Sequence, residues 1–332
     1  MTEVKSYCYN LVMIVPFMKT QVVNDLINSL LESNRRYSIL LVLVDMSLEK
    51  DGLIEGSGLL TIKKISLNNK VSSSRSRNIG IEYIVNHNVQ FDYLLFPDDD
   101  TTFDSSFFDL YESVILGNTI LNVLCRDTKE TYSNYNIADG ALLKKKDVLF
   151  VGCVRLMLSK DTFYKVGYFD EQLGIGAKYG AGEDGDYFLR ALEYDEFHYT
   201  AKVYNFHPSP SLKYSKLKFK ELILRFNNYG RGLVYMLCKH KLYKEGCLVC
   251  LRAIAGSGRP LSDIGWRFLR YAFGHGRGKS RQCSCRRYWG RGIRCAEPRH
   301  AGHGFRRHAL GKYRNRRGEH RQCPCGNARH HG

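Results

Sequence analysis

The sequence predicts an α/β fold built on a largely parallel sheet, and three observations carry that prediction. Apolar runs alternate with stretches of helical periodicity through the first half of the chain. The runs are hydrophobic at consecutive positions, as strands covered on both faces are. Two of them stop abruptly at acids: one at Asp45, the other at the triplet Asp98, Asp99 and Asp100. Ligands of such sheets gather outside the carboxyl ends of the strands, so both acidic ends face one crevice.

Each element has its own signal. Tyr9 to Val15 reads YNLVMIV, a buried strand that meets Pro16. Val22, Val23, Leu26, Ile27, Leu30 and Leu31 then recur at helical spacing. Ser38 to Val44 is a second strand, and Leu59 to Leu67 a third. Ser72 to Val85 opens on serines able to cap and continues through Ile79, Ile81, Tyr83 and Ile84, which predicts a helix. Phe91 to Phe96 is the next strand. In the second half, Leu149 to Leu158 reads as a strand and Ser159 to Val166 as a short helix capped by Ser159. A glycine-rich stretch, GIGAKYGAGEDGD, leads into a helix over Tyr187 to Tyr194. Val203 to Phe206 is a short strand ended by HPSPS. From Lys216 to Phe273 the pattern is mostly helical, with Lys and Arg among Leu, Phe and Tyr. That suits either an amphipathic element lying on a surface or an ordinary packing helix.

The chain of 332 residues is long enough for a sizeable core. No basic region precedes the first apolar run, and no apolar stretch reaches about 18 residues, so neither a signal peptide nor a transmembrane helix is predicted. Eleven cysteines without a secretory signal read as reduced thiols. The net charge of +17 resembles that of a nucleic-acid binder, but +14 of it lies in residues 274–332. The basicity belongs to the tail, and no specific nucleic-acid partner is expected for the fold.

Four groups of residues carry chemistry. Asp98 and Asp100 are two apart, so in an extended segment they share a face. Paired carboxylates there suit a hard divalent cation, Mg2+ or Mn2+, or else form a solvated acidic turn. In VSSSRSRNIG, Arg75 and Arg77 sit near a helix start, where backbone N–H groups and a guanidinium attract phosphate; two surface arginines are the plain alternative. In GEDGD, Glu183 and Asp184 open a helix, either because the dipole favours acids there or as a general base at a cleft. His207 ends a strand and is a third metal ligand or a structural histidine. Gly174, Gly176 and Gly180 do not match the dinucleotide fingerprint, because the third glycine is one position late. Together the groups fit metal-assisted handling of a nucleoside diphosphate.

The ordered set MIVPF, LVLVD, SRSRNIG, FPDDD, LMLSKDTFYKVGYFDEQLG, GAGEDGD and HPSPS resembles the family 2 glycosyltransferases with the GT-A fold, above all the bacterial enzymes of capsule and exopolysaccharide assembly. The likeness spans about residues 8–240. It implies a Rossmann-like, nucleotide-binding mixed sheet flanked by helices, with a nucleotide-sugar-binding half at 1–103 and an acceptor and catalytic half at 104–215. A helical, membrane-associating segment would follow at 216–273. Asp45 would contact the uracil or ribose, and Arg77 the nucleotide or its diphosphate. Asp98 and Asp100 would form the DxD motif, with Asp100 the more direct metal ligand and His207 approaching the metal, and Asp98 and Asp99 would also bind the nucleotide-sugar. Asp184 would be the catalytic base, supported by Glu183. The implied reaction moves a sugar, with inversion, from a nucleotide-sugar donor (UDP-linked) to a lipid-linked oligosaccharide. The implied place is the inner face of the bacterial cell membrane.

Two other readings use parts of the same sequence. DDDTT also satisfies D-x-D-x-T of haloacid-dehalogenase-like phosphatases, with Asp98 as nucleophile, Asp100 as acid/base and Thr102 on phosphate. That motif is expected near a chain start, and a proline directly precedes Asp98. In the tail, Cys283, Cys285, Cys295, Cys323 and Cys325 with seven histidines suggest zinc or RNA binding, but C-x-C spacing is not that of zinc pairs. The tail has no Val, Thr, Asp or Met and one Ile and one Leu, so it cannot build a core. It is expected to be disordered, and its composition reads as a change of reading frame between about 256 and 280.

Overall fold

The computed structural model describes residues 8–47, 52–114, 117–132, 137–209, 218–257, 312–314 and 320–322. Contacts divide the chain into two units, residues 1–277 and 278–332.

The first unit is built on a seven-stranded mixed sheet. The strands are β1 (Cys8–Phe17), β2 (Ile39–Asp45), β3 (Leu60–Ser66), β4 (Gln90–Leu95), β5 (Thr119–Cys125), β6 (Leu156–Ser159) and β7 (His198–His207). Their spatial order is β3-β2-β1-β4-β6-β5-β7. β3, β2, β1 and β4 pair in parallel, as do β5 and β7. β6 runs antiparallel between β4 and β5, so its first residues lie at the carboxyl end of β4.

The consecutive apolar positions of β1 divide between two cores. Val12 and Ile14 join one cluster, and Leu11, Met13 and Val15 the other. The first core is closed by α2 (Ser73–Asn86), α4 (Lys160–Val166) and α5 (Glu183–Ala191), through Ile81, Ile84, Phe163, Tyr187 and Phe188. The second is closed by α1 (Thr20–Ser33) and α3 (Ser105–Val114), through Val23, Leu26, Ile27, Phe107 and Phe108. Burial on both faces is what permits strands without polar alternation. α6 (Phe219–Lys239) and α7 (Tyr243–Ser257) follow.

Three sequence expectations need correction. Leu149–Leu158 is not one strand: 3-10 turns occupy Lys145–Phe150 and Cys153–Arg155, and the strand is only Leu156–Ser159. Val151 and Gly152 interrupt the run, and the turn there is closed by the Arg155 N–H donating to the Gly152 carbonyl. The strand read at Val203–Phe206 extends over His198–His207, because its pairing with β5 starts at His198 and tolerates a register shift at Leu121/Asn122. The helix read at Tyr187–Tyr194 begins earlier, at Glu183, after Gly182 in the left-handed region at φ 89°. In the second unit, Lys312–Arg314 (β8) and His320–Gln322 (β9) pair antiparallel. The expectations for the rest of 274–332, the tail cysteines included, lie outside the described residues, as does 258–273 of the helical segment.

Candidate functional site

The carboxyl ends of β2, β4 and β7 and the starts of α2, α5 and β6 bring the predicted residues together. The Asp triplet follows β4, and it is not extended. The Thr101 N–H donates to the Asp98 carbonyl at 3.0 Å, closing a turn that curls the two carboxylates toward each other. The chain then leaves through Thr102, which exchanges backbone hydrogen bonds of 2.9 and 2.8 Å with Phe206 in β7. This bridge sets His207, the last residue of β7, beside the turn. Its Nε2 is 2.9 Å from Asp100 Oδ1 and 3.6 Å from Asp98 Oδ2. Asp99 lies half-buried in the turn between them.

Asp98, Asp100 and His207 form a three-ligand group whose donor atoms lie within 4.8 Å of one another. His207 Nδ1 is 2.9 Å from the Pro208 carbonyl, which leaves Nε2 directed at the carboxylates, as in histidines oriented for a metal. Two carboxylates and one imidazole suit a hard or borderline cation that takes oxygen and nitrogen ligands. Without such a cation, His207 takes its charge from a proton. Burial opposes that charge, but Asp100 and Asp98 outweigh it and lift the imidazole to about 9.

Arg77 is the hub of the second half of the site. It lies on α2 and is only 5% exposed, so the surface reading of this arginine does not hold. Its Nη2 donates to Asp98 Oδ1 at 3.1 Å, and Nη1 is 3.6 Å from Glu183 Oε1. Burial works against the charge, and the surrounding Cys153, Asp184, Asp98 and Glu183 more than restore it. Arg75, by contrast, turns outward to Glu82 and Glu171.

Glu183 and Asp184 reach Arg77 because of the glycine-rich loop. A side chain at Gly174 would sit 2.3 Å from Ser73 Oγ, so the loop crosses the start of α2 in contact. There it accepts from the Ser73 N–H through the Ile175 carbonyl and from Ser74 Oγ through the Leu173 carbonyl. Gly182 then turns the chain into α5. Glu183 accepts from Ser73 Oγ at 2.9 Å. Asp184 Oδ1 accepts from Cys153 Sγ at 2.6 Å. Burial raises both carboxyls, with mutual repulsion adding at Glu183; Arg77 pulls each back, and Glu183 is left at about 7. Adjacent acids of this kind titrate as a pair.

Asp45 ends β2 at the same edge of the sheet. It is buried and ion-paired to Lys64 Nζ at 2.9 Å, and it accepts from Ser47 Oγ at 2.6 Å. Burial would raise its carboxyl, but Lys64 and Ser47 outweigh that and lower it. Three functional neighbours were not anticipated. Ser73 stood within a quoted motif but carried no separate signal. Lys64 reaches Asp45 through the β2–β3 pairing, and Cys153 reaches Asp184 from the 3-10 turn before β6.

No family model matches the sequence, and no curated protein does. Solved structures do. The crystal structure of S. aureus TarS 1–349 matches with a TM-score of 0.51 and 13% identity, over 79% of this chain and 81% of that one. The structure of the same fragment in complex with UDP matches with a TM-score of 0.51 and 12% identity, over 79% and 80%. At this identity the likeness is one of fold. The protein has the GT-A fold, a mixed seven-stranded sheet flanked by helices.

Proposed function

We propose that this protein is an inverting, divalent-cation-dependent glycosyltransferase of the family 2 type, using a UDP-sugar donor. The observation that carries the reading is the placement of the Asp98–Asp100–His207 group next to Arg77 and Asp184, at the carboxyl ends of the strands of a GT-A sheet. The TarS fragment of the same fold was solved with UDP, which supports a uridine diphosphate leaving group.

In this reading Asp45 holds the ribose or uracil, and Arg77 and Asp99 face the diphosphate. Asp98, Asp100 and His207 would hold Mg2+ or Mn2+, which supplies charge neutralisation for the departing diphosphate. Asp184 takes the proton from an acceptor hydroxyl. The hydroxyl oxygen forms a bond to the anomeric carbon as the bond from that carbon to the diphosphate breaks, and the bonding electrons leave with UDP. Attack opposite the leaving group inverts the centre. Glu183, tied to Ser73 and Arg77, keeps its neighbour Asp184 in place.

The acceptor we propose is a hydroxyl of a lipid-linked saccharide, in bacterial surface polysaccharide assembly at the inner face of the membrane. Among the described residues, no helix is long and apolar enough to cross a membrane. On α6, Leu224 and Phe226 are 63% and 53% exposed among Lys220, Arg225 and Arg231. Exposed apolar side chains interspersed with basic ones on this helix support peripheral attachment.

The test is thermal stability with UDP, with and without Mn2+, on the wild type and Asp100→Ala. A ligand at 100 times its Kd adds about 2.7 kcal/mol if only the folded state binds it. The expected result is a shift that needs both UDP and Mn2+ and disappears in the variant. A wild type indifferent to both would overturn the reading of the donor site.

A further inference from the structure

Cys153 has no part in the chemistry described so far, yet its thiol donates to the would-be base. We propose that Cys153 is the positioning residue for Asp184. Its thiol donates to Oδ1 and fixes the carboxylate so that Oδ2 is left for the acceptor hydroxyl. The inference rests on Asp184 being the base of the proposed glycosyl transfer.

The thiol stands on a rigid support. Cys153 opens the 3-10 turn Cys153–Arg155, which runs directly into β6 between β4 and β5. The turn is closed by the Arg155 N–H on the Gly152 carbonyl at 2.9 Å. Asn205 Nδ2 on β7 donates to the Val154 carbonyl at 2.7 Å and ties the same turn to the far side of the sheet. Cys153 itself is 3% exposed, so the sulfur has little freedom to turn elsewhere. The Sγ to Oδ1 distance is 2.6 Å.

The other carboxylate oxygen is placed differently. Position 152 is glycine, and a side-chain carbon there would come within 3.8 Å of Asp184 Oδ2. Glycine at this position keeps a side chain off that oxygen. Arg77 supplies the second, independent sign that a ligand belongs here. It is 95% buried by its 5% exposure, and its Nε and Nη1 have no hydrogen-bond partner. Such atoms are satisfied when a polar ligand or water enters beside them.

The thiol acts as a donor and not as a nucleophile. Burial pushes the Cys153 thiol well up, and Asp184 and Glu183 push it further, against the pull of Arg77. A protonated thiol is a poor nucleophile. In the transfer step the acceptor proton goes to Asp184 Oδ2, and the thiol keeps its own proton throughout. The groups facing Asp184 are Cys153, Arg77, Glu183 and Asp98.

The test has one arm that needs no turnover. The S–H stretching band of Cys153 is isolated by infrared difference between the wild type and Cys153→Ala. A thiol bonded to a carboxylate gives a band at lower frequency than the other thiols, and Asp184→Asn moves it up. A band at the free-thiol position that ignores Asp184→Asn overturns the proposal. If Cys153→Ala does not fold, Cys153→Ser provides the difference spectrum.

The second arm follows UDP release from UDP-N-acetylglucosamine or UDP-glucose against pH. Losing the donor costs about tenfold in kcat, the equivalent of one hydrogen bond of about 1.4 kcal/mol, with KM for the donor unchanged. The rising limb of the profile moves to higher pH, because a carboxylate without its donor binds a proton more tightly. Cys153→Ser keeps a donor and restores both. A limb that does not move in Cys153→Ala overturns the positioning role. A wild type that releases no UDP from any sugar nucleotide removes the transferase reading instead, while the infrared band still decides the thiol contact.

Discussion

At Asp186 four charged or polar groups meet. Its carboxylate is fully buried and touches Lys239 Nζ at 2.6 Å, His240 Nε2 at 2.8 Å and Arg190 Nε at 3.0 Å. Burial alone would raise this carboxyl, but His240, Lys239 and Arg190 outweigh it and hold it at about 2. A lowered folded value stabilises the protein above the unfolded value and loses that effect as pH falls. About 2 kcal/mol is therefore expected to disappear between roughly pH 4 and pH 2. Asp186→Asn strips the charge from this cluster and should cost about 3 kcal/mol at neutral pH, read by denaturant unfolding.

The two other titrating sites give opposite signs. His207 is raised, so its stabilisation of the metal-free protein is present below about 6.5 and lost as pH climbs through about 9. A cation must displace that proton. Mn2+ binding should tighten as pH rises across this window and release a proton, measurable by calorimetry in two buffers of different ionisation heat. Burial raises both Glu183 and Asp184, so the proposed base takes up its charge at a higher pH than an ordinary carboxylate. UDP release should rise with pH along a limb that lies above the ordinary carboxylate range, because burial raises Asp184, and Asp184→Asn should lower it on the order of a thousandfold. The UDP-dependent thermal shift should survive in that variant, since Asp184 does not hold the donor.

At the scale of elements, glycines mark where backbones meet. A side-chain carbon at Gly80 in α2 would lie 2.4 Å from Ile14 Cγ2 on β1. On α6, residues 228, 232 and 236 recur every four positions, so they line one face. That face receives Gly180, Gly182 and Gly185 of the glycine-rich loop and α5. A side-chain carbon at Gly232 would stand 2.2 Å from the Ala181 carbonyl oxygen. Gly232→Ala is expected to cost about 1–3 kcal/mol by forcing α6 off this loop. Because the loop leads into Glu183 and Asp184, turnover should fall more than the loss of stability explains.

Whether α6 packs or lies on a surface was left open by its composition. It does the first along Gly232 and Met236, while Leu224 and Phe226, nearer its start, stay exposed. α3 and β5 had no separate signal in the sequence. Ser105–Val114 mixes serines with aromatics, and its amphipathic face becomes visible only against the second core. The run at Leu149–Leu158 was misread because apolar content does not separate a strand from a buried turn.

For the whole molecule, the charge is divided between the two units, with most of it in 274–332. Deleting 278–332 should leave the UDP and Mn2+ shift unchanged, because every residue of the candidate site lies before that boundary. Binding to anionic vesicles should become less salt-dependent but persist, read by sedimentation at two ionic strengths, because Leu224 and Phe226 of α6 remain. Loss of all binding on deletion would remove α6 as the site of attachment.

A sheet covered on both faces was legible in the sequence, because consecutive apolar residues leave a strand no polar face to solvate; the antiparallel β6 within it was not. The sequence by itself also determined which acids stand at strand ends, because a buried run must stop where charge begins. Only the tertiary structure decided how those acids are used. Asp98 and Asp100 converge through a turn, His207 arrives from a strand more than a hundred residues away, and Arg77 sinks between two acidic groups. Pairings over such separations depend on register and on close backbone approach at glycine, and neither is written in any local stretch of the chain.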